Sequence, residues 1–282
     1  MNRTNLYRVT IVVLMVLVVI SFRYALKYES ILKRLNSLKP VGETEETDLA
    51  YHIIPHRGAS GEEKEHSIAA YDLACDYGAK YLEQDLVFSG EGTLYVAHDL
   101  WMTKGQYGVR FKDADDATID ENQFLKLSDV IARYKDKGIT FVIEIRAKDN
   151  DSFDGKSQLD VLIEMLKEYN DETLNQHIIV QAWDEESLKQ VKEYDENVRT
   201  MYLTSDVEGL DEAVASKYVD IVCTEMSLAS VVTSKRIHKA GKLACGYTYN
   251  TTEEIELAIG SGLDMYFTNY VAKALAMEKK YR

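Results

Sequence analysis

The residues that could carry out chemistry lie in one short stretch, between positions 56 and 99. It contains His56, the carboxylates Glu83 and Asp85, and His98, each in or directly after a short apolar run. Glu83 and Asp85 are two residues apart, so on a strand they share a face. Histidine titrates near neutral pH and can both accept and release a proton. Polar groups at the carboxyl ends of successive strands are typical of a barrel active site.

Strands and helices alternate from about residue 51 onward, which predicts an α/β fold with a parallel sheet. Nine candidate strands compete for eight places in a slightly irregular (β/α)8 barrel of the TIM type, so one must be peripheral or belong to the short second-to-third connection. The candidates begin near residues 53, 81, 94, 140, 177, 199, 219, 243 and 263, and the clearest helical patterns cover 63–77, 121–136 and 157–169.

Length and charge narrow the class of protein. The chain has 282 residues, and setting aside an N-terminal segment leaves roughly 235, which suits one barrel domain. A net charge of −14 argues against nucleic acid as a partner, because phosphate contacts need clustered Lys and Arg. Cys75, Cys223 and Cys245 form neither a disulfide framework nor a zinc-site spacing, and are predicted to be buried free thiols.

As a set, the motifs resemble those of the glycerophosphodiester phosphodiesterase family, over about residues 51 to 275. The family pattern is His-Arg-Gly, an acidic-Asn-Thr segment, Glu-x-Asp, His-Asp and Glu-Ile-Lys. The matching segments are His56-Arg57-Gly58, Lys64-Glu65-His66-Ser67, Glu83-Gln84-Asp85, His98-Asp99 and Glu144-Ile145-Arg146. The resemblance implies a TIM barrel that hydrolyses a glycerophosphodiester, a lipid-derived substrate, to an alcohol and sn-glycerol 3-phosphate.

The resemblance also implies roles for particular residues. His56 and His98 are expected to be the acid–base pair. Glu83, Asp85 and Glu144 are expected to bind a divalent cation, and a set of oxygen ligands alone favours Mg²⁺ or Ca²⁺ over zinc.

An acidic protein needs local positive charge to bind an anionic phosphodiester. Arg57 and Arg146 are predicted to contact the phosphoryl oxygens, because a guanidinium presents a fork of donors. Arg57 could instead pair with Glu65 and support the site from behind. Both alternatives are open at this stage.

Several departures from the family pattern alter the expected pocket wall. The family's Asn is His66 here, its Glu-Ile-Lys ends in Arg146, and its closing Thr-Asp is Thr268-Asn269. His66 either lines the site or lies on the surface at a helix start. Three aromatic residues near strand ends either contact the alcohol group or pack in the core: Trp183, Tyr247 and Tyr249. No role is assigned to His52, His177 and His238.

The N-terminal segment contains an uncharged apolar run from Val9 to Phe22, flanked by Arg8 and Arg23. At about 1.5 Å per residue it spans roughly 21 Å, less than the roughly 30 Å of a bilayer core, but flanking apolar residues extend it if the arginines snorkel. We predict a single-pass membrane anchor over residues 1–26, because a small-residue cleavage site of a signal peptide is missing.

A basic amphipathic stalk and linker is predicted over residues 27–48, ahead of the barrel domain at 49–282. The stalk could lie on anionic membrane lipid or be a solvated spacer. The distribution of Lys and Arg places the barrel in the cytoplasm by the positive-inside rule. A short basic N-terminus is equally the form of an export anchor, so the side of the membrane is open.

The expected activity is therefore metal-dependent hydrolysis of a glycerophosphodiester. A phospholipase or a hydrolase of glycerol-phosphate polymer could use the same site. An alternative from another class is a catalytically silent, membrane-bound binding barrel.

Overall fold

The computed structural model describes residues 3–38, 50–102, 108–146 and 152–281, with side chains from residue 13 onward. Its strands are β1 (Ile53–Pro55), β2 (Tyr81–Phe88), β3 (Leu94–Val96), β4 (Leu125–Lys126), β5 (Thr140–Glu144), β6 (Ser152–Phe153), β7 (Lys156–Ser157), β8 (Ile178–Ala182), β9 (Arg199–Thr204), β10 (Ile221–Glu225), β11 (Leu243–Tyr247) and β12 (Met265–Thr268). Its α-helices are α1 (Arg3–Leu35), α2 (Ile68–Asp76), α3 (Asp116–Glu121), α4 (Leu127–Tyr134), α5 (Gln158–Tyr169), α6 (Glu172–Gln176), α7 (Glu185–Tyr194), α8 (Val207–Ala215), α9 (Val231–Lys239), α10 (Thr252–Ser261) and α11 (Val271–Tyr281).

A curled parallel sheet forms the centre of the molecule. Neighbouring strands in the sheet follow one another along the chain, in the order β1, β2, β5, β8, β9, β10, β11 and β12. β1 is hydrogen-bonded to β12, and the curl brings it alongside β2 as well. Side chains on one face of these strands, such as Ile54 and Val142, pack inside the curl. Those on the other face, such as Leu82 and Leu86, pack outward under the helices. The predicted α/β fold is confirmed, and the curled sheet, with the carboxyl ends of its strands gathered at one rim, is consistent with the TIM type.

The peripheral candidate strand is β3. The connection from Ser89 to Gly92 is too short for a crossover to a parallel strand, so β3 folds back antiparallel on β2 and pairs Leu86 with Val96. Ala97 N–H then donates to the carbonyl of Asp85 at 3.0 Å. The last residues of β2 therefore extend beyond the barrel, and the hairpin returns the chain to the rim.

The predicted helices form with shifted starts, because their caps decide where they begin. The helix predicted at 63–77 begins only at Ile68, where the Ser67 hydroxyl accepts from Ala70 N–H. Helix α5 has the predicted bounds within one residue, and a reciprocal capping box between Ser157 and Asp160 sets its start.

The N-terminal helix α1 is continuous from Arg3 to Leu35. Within the described ranges, we find no helix with both the length and the apolar character that crossing a membrane requires. The transmembrane helix predicted for residues 1–26 is therefore not supported. Its uncharged stretch, roughly 21 Å long, is shorter than a bilayer core.

The C-terminal part of α1 packs against the barrel. Ile31 and Leu35 are buried, and a Cβ added at Gly260 of α10 would lie 2.5 Å from Ile31 Cγ2. Lys27 Nζ donates to the carbonyl of Ser227 at 3.2 Å. The C-terminal part of α1 therefore packs against the barrel. Neither of the two alternatives, a helix on lipid or a solvated spacer, included this packing. The acidic linker at 42–48 lies outside the described residues.

Candidate active site

A cavity of about 500 Å³ opens at the rim formed by the carboxyl ends of the parallel strands. That volume is in the usual range for small-molecule sites. The predicted catalytic, phosphate-binding and metal-ligating residues all line it: His56, Arg57, Glu83, Asp85, His98, Glu144 and Arg146. The structure therefore brings together residues that are up to 90 positions apart in the sequence.

Three carboxylates crowd the floor of the cavity, of which Glu83 and Asp85 are buried and Glu144 is half-buried. Glu83 and Asp85 lie on β2, and Glu144, at the end of β5, is the register partner of Asp85. Burial, together with the charges of Asp85 and Glu144, raises the pKa of Glu83 well above its usual range. Burial and the charge of Asp85 likewise raise the pKa of Glu144 to about 8. The nearby side chains supply too little positive charge for all three carboxylates to be ionised together. A divalent cation bound among them would supply the missing charge.

Asp85 differs from its neighbours because the imidazole of His66 and the guanidinium of Arg57 both contact its carboxylate. Burial acts to raise its pKa, but His66 and Arg57 outweigh that effect and keep the pKa well below its usual range. His66 Nε2 lies 3.0 Å, and Arg57 Nε 3.2 Å, from Asp85 Oδ2. Asp85 is therefore ionised and oriented before any ligand binds.

His66 is buried, so the surface alternative for this residue is wrong. Ligand atoms of His66, Glu83 and Asp85 lie within 4.8 Å of one another, a spacing compatible with a metal site. However, His66 does not line the cavity, whereas Glu144 does. Glu83, Asp85 and Glu144, together with Asp184 just after β8, are the carboxylates that line the cavity.

Arg57 connects the cavity to its surroundings. Its backbone N–H donates to Glu83 Oε2 at 2.7 Å, and its Nη1 donates to Glu65 Oε2 at 2.8 Å. The contact with Glu65 exists, but Glu65 is 46% exposed, so the pair adds little stability. The guanidinium also lines the cavity, so supporting contacts and substrate contact are compatible.

His56 lies largely buried at the end of β1. Its Nδ1 lies 2.8 Å from Asn269 Oδ1, an acceptor, so Nδ1 carries the proton and Nε2 has the free lone pair. Burial, followed by the charge of Arg57, lowers the pKa of His56 to about 4. At neutral pH the ring is therefore an uncharged base.

His98 occupies the cavity mouth at the end of the hairpin. Its Nδ1 lies 3.2 Å from Asp99 Oδ1, and its side chain is 39% exposed. The Arg146 guanidinium donates to the backbone carbonyl of His98, while the backbone N–H of Arg146 donates to Gln158 Oε1 at 2.8 Å. Arg146 thus links the hairpin to β5 and α5.

Sequence reasoning missed two polar residues that support the site. Gln181, near the end of β8, is buried and donates to Glu83 Oε1 at 3.3 Å. Asn269 follows β12 and orients His56. Their signal was present, since each is a polar side chain in or directly after an apolar strand.

The aromatic residues divide between wall and core. Trp183 and Tyr247 line the cavity, and Trp183 Nε1 donates to Glu144 Oε1 at 3.2 Å. Tyr249 is completely buried and packs edge-on against Tyr266, so for this residue the core alternative is correct.

Comparison with known proteins agrees with the geometry. A glycerophosphodiester phosphodiesterase of Bacillus subtilis (strain 168) is 25% identical over 249 residues, which cover 77% of this chain and 83% of the relative. Among solved structures, an Oleispira antarctica phosphodiesterase in complex with the product sn-glycerol-3-phosphate has a TM-score of 0.68 at 20% identity, covering 80% of this chain and 96% of that one. The Thermotoga maritima glycerophosphodiester phosphodiesterase has a TM-score of 0.61 at 19% identity, covering 78% and 95%. These two structural similarities concern the fold.

A family model also matches most of the sequence. The model of the glycerophosphoryl diester phosphodiesterase family matches residues 56–273, well over half of the chain. That range includes every residue that lines the cavity. The chain therefore belongs to the glycerophosphoryl diester phosphodiesterase family and is an enzyme of that class.

Proposed function

We propose that the protein hydrolyses glycerophosphodiesters to an alcohol and sn-glycerol 3-phosphate, with Mg²⁺ or Ca²⁺ as cofactor. The observation that carries this proposal is a single rim cavity in which two histidines, two arginines and the carboxylates of Glu83, Asp85 and Glu144 converge. A structural neighbour was solved with sn-glycerol-3-phosphate as its product, which supports the same product here.

Glu83, Asp85 and Glu144 would hold the cation. When bound, it would neutralise negative charge on the phosphoryl group and lower the pKa of the attacking oxygen. Arg57 and Arg146 line the same cavity and supply the remaining positive charge for an anionic substrate. The net charge of −14 makes this local concentration of cations necessary.

The two histidines divide the proton transfers. His56 is neutral and presents Nε2, so it removes the proton of the attacking hydroxyl. His98 lies at the mouth beside Asp99, where the leaving alcohol departs, and it protonates that alcohol. Trp183 and Tyr247 form the apolar wall against which the alcohol group rests.

Asn269→Asp is expected to raise the pKa of His56, because an anion beside Nδ1 favours the imidazolium. A base works only when unprotonated, so raising its pKa moves the acid limb of kcat/KM to higher pH. We expect a shift on the order of one pH unit or more, measured from the pH profile. An acid limb that stays in place would show that His56 is not the base.

The attacking group is predicted to be the substrate's own hydroxyl, next to the phosphorylated carbon. It is already tethered to the phosphorus, so its attack has a large entropic advantage over attack by water. A diester that lacks this hydroxyl should be cleaved at least about 10²-fold more slowly, a difference of roughly 2.7 kcal/mol. Phosphorus NMR early in turnover should detect a five-membered cyclic phosphate. Equal rates for the deoxy substrate, with no cyclic species, would indicate direct attack by water.

A substrate comparison tests the proposed function itself. Glycerophosphocholine, a lysophospholipid and a glycerol-phosphate polymer share the diester but differ in the size of the alcohol group. A cavity of about 500 Å³ favours the small diester, so kcat/KM should be highest for glycerophosphocholine. Higher kcat/KM for the lipid or the polymer would reassign the enzyme to that substrate.

A further inference from the structure

This chain has His66 where the family pattern has Asn, and the imidazole lies 3.0 Å from the Asp85 carboxylate. His66 has a left-handed backbone conformation, with φ of 53°, a region that Asn, Asp and His enter more readily than most residues. Its N–H donates to the carbonyl of Arg57 at 3.0 Å, which holds the loop in this shape. The loop thereby directs the imidazole inward, behind the wall of the cavity.

A chain of buried contacts runs from this imidazole to the Asp85 carboxylate and to the backbone of Glu83. His66 Nε2 lies 3.0 Å from Asp85 Oδ2, and Nδ1 lies 2.9 Å from the hydroxyl of Tyr71. The Tyr71 hydroxyl donates to the backbone carbonyl of Glu83 at 3.1 Å. Both side chains are buried, so no water competes for these bonds.

We propose that His66 is a positioning residue, which together with Tyr71 holds Asp85 and the Glu83 backbone in the arrangement that binds the divalent cation. This inference rests on the proposed function, and it assigns this chain's histidine a role toward the cation. Groups that orient metal ligands typically change metal affinity by about 10- to 100-fold when removed.

The hydrogen-bond directions favour positioning over direct ligation. The Tyr71 hydroxyl has one proton and gives it to Glu83, so His66 Nδ1 must donate to the hydroxyl oxygen. Nε2 faces a carboxylate oxygen of Asp85, an acceptor, which also forms an ion pair with the Arg57 guanidinium. A ring that donates at both nitrogens has no lone pair for a metal ion.

The test measures binding of Ca²⁺ and Mg²⁺ to the metal-free enzyme by titration calorimetry. His66→Ala should bind both ions about 10- to 100-fold more weakly. His66→Asn should lie between His66→Ala and wild type, because an amide can still donate and tolerates the left-handed conformation. His238→Ala is the matched control, since His238 also contacts an aspartate, Asp264, at 2.8 Å but far from the cavity.

Kinetics separate positioning from a general loss of structure. At saturating metal, kcat of His66→Ala should recover towards that of wild type, while the metal concentration for half-activation stays raised. Tyr71→Phe keeps the buried ring and removes only the hydroxyl, so it should weaken metal binding in the same direction even if His66→Ala fails to fold.

Three results would overturn the inference. Unchanged Ca²⁺ and Mg²⁺ affinity in His66→Ala, or in a folded Tyr71→Phe if the alanine variant does not fold, would show that the chain of contacts does not position the ligands. A loss that is far larger for Mn²⁺ and Zn²⁺ than for Ca²⁺ would make His66 a direct nitrogen ligand. Wild-type enzyme that binds no divalent cation would instead refute the proposed cofactor, and the inference with it.

Discussion

Replacing Glu83 by glutamine should lower kcat by at least about 10³-fold, because the cation's transition-state stabilisation is worth several kcal/mol and each 1.36 kcal/mol is about tenfold in rate. The side chain keeps its size and one acceptor oxygen, which can still accept from Arg57 N–H, and Gln181 can turn its amide so that its Oε1 accepts from the new NH2 group. The expected loss therefore reflects the missing charge at the cation site. Removing divalent cations with excess chelator should lower the activity of wild type to a similar extent.

The same substitution should not weaken the fold. Glu83 is buried among like charges, which raise its pKa, so the neutral amide relieves repulsion in the metal-free protein. We expect Glu83→Gln to melt at or above wild type in chelator. Asp85→Asn should melt lower, because it loses the hydrogen bond between its carboxylate and His66 and the ion pair with Arg57.

Glu225→Gln provides the matched control. Glu225 also ends a barrel strand, β10, at the same rim, but it is exposed, and its carboxylate accepts a local hydrogen bond from the Ser227 hydroxyl at 3.0 Å. Its replacement should leave kcat unchanged. Full wild-type activity in excess chelator, or in Glu83→Gln, would refute the assignment of the carboxylates as metal ligands.

His56→Ala and His98→Ala should each lower kcat by about 10²- to 10⁴-fold, the usual contribution of general acid–base catalysis. His56 has an uncharged ring with a free Nε2, and His98 lies at the mouth of the cavity, so neither loss can be replaced by the other histidine. KM should change much less than kcat if these groups act mainly in the transition state.

Substrates with different leaving groups should separate the two roles. A diester with a nitrophenol leaving group needs no proton at departure, so it should largely rescue His98→Ala but not His56→Ala. The opposite pattern would exchange the two assignments. His177→Ala, a histidine just before β8 at the other end of the barrel, is the control and should keep wild-type kcat. If either variant keeps wild-type kcat on the natural substrate, the histidine that it lacks is not a proton carrier in the reaction.

The site's first set of residues was predictable because each belongs to a local pattern. Glu83 and Asp85 share a strand face by the two-residue period, and this geometry needs no knowledge of distant residues. His56 and Glu144 end apolar runs, and parallel strands that alternate with helices bring such ends to one rim. The sequence by itself therefore determined the fold class, the cavity's position and its principal polar groups.

Packing between distant segments decided the rest. His98 reaches the rim only because β3 turns back on β2 and pairs antiparallel with it. His66 faces inward because of one left-handed residue and its contact with Asp85. Asn269 and Gln181 support His56 and Glu83 from strands far along the chain. Ile31 packs where Gly260 leaves room, a match between residues more than 200 positions apart that no local pattern records.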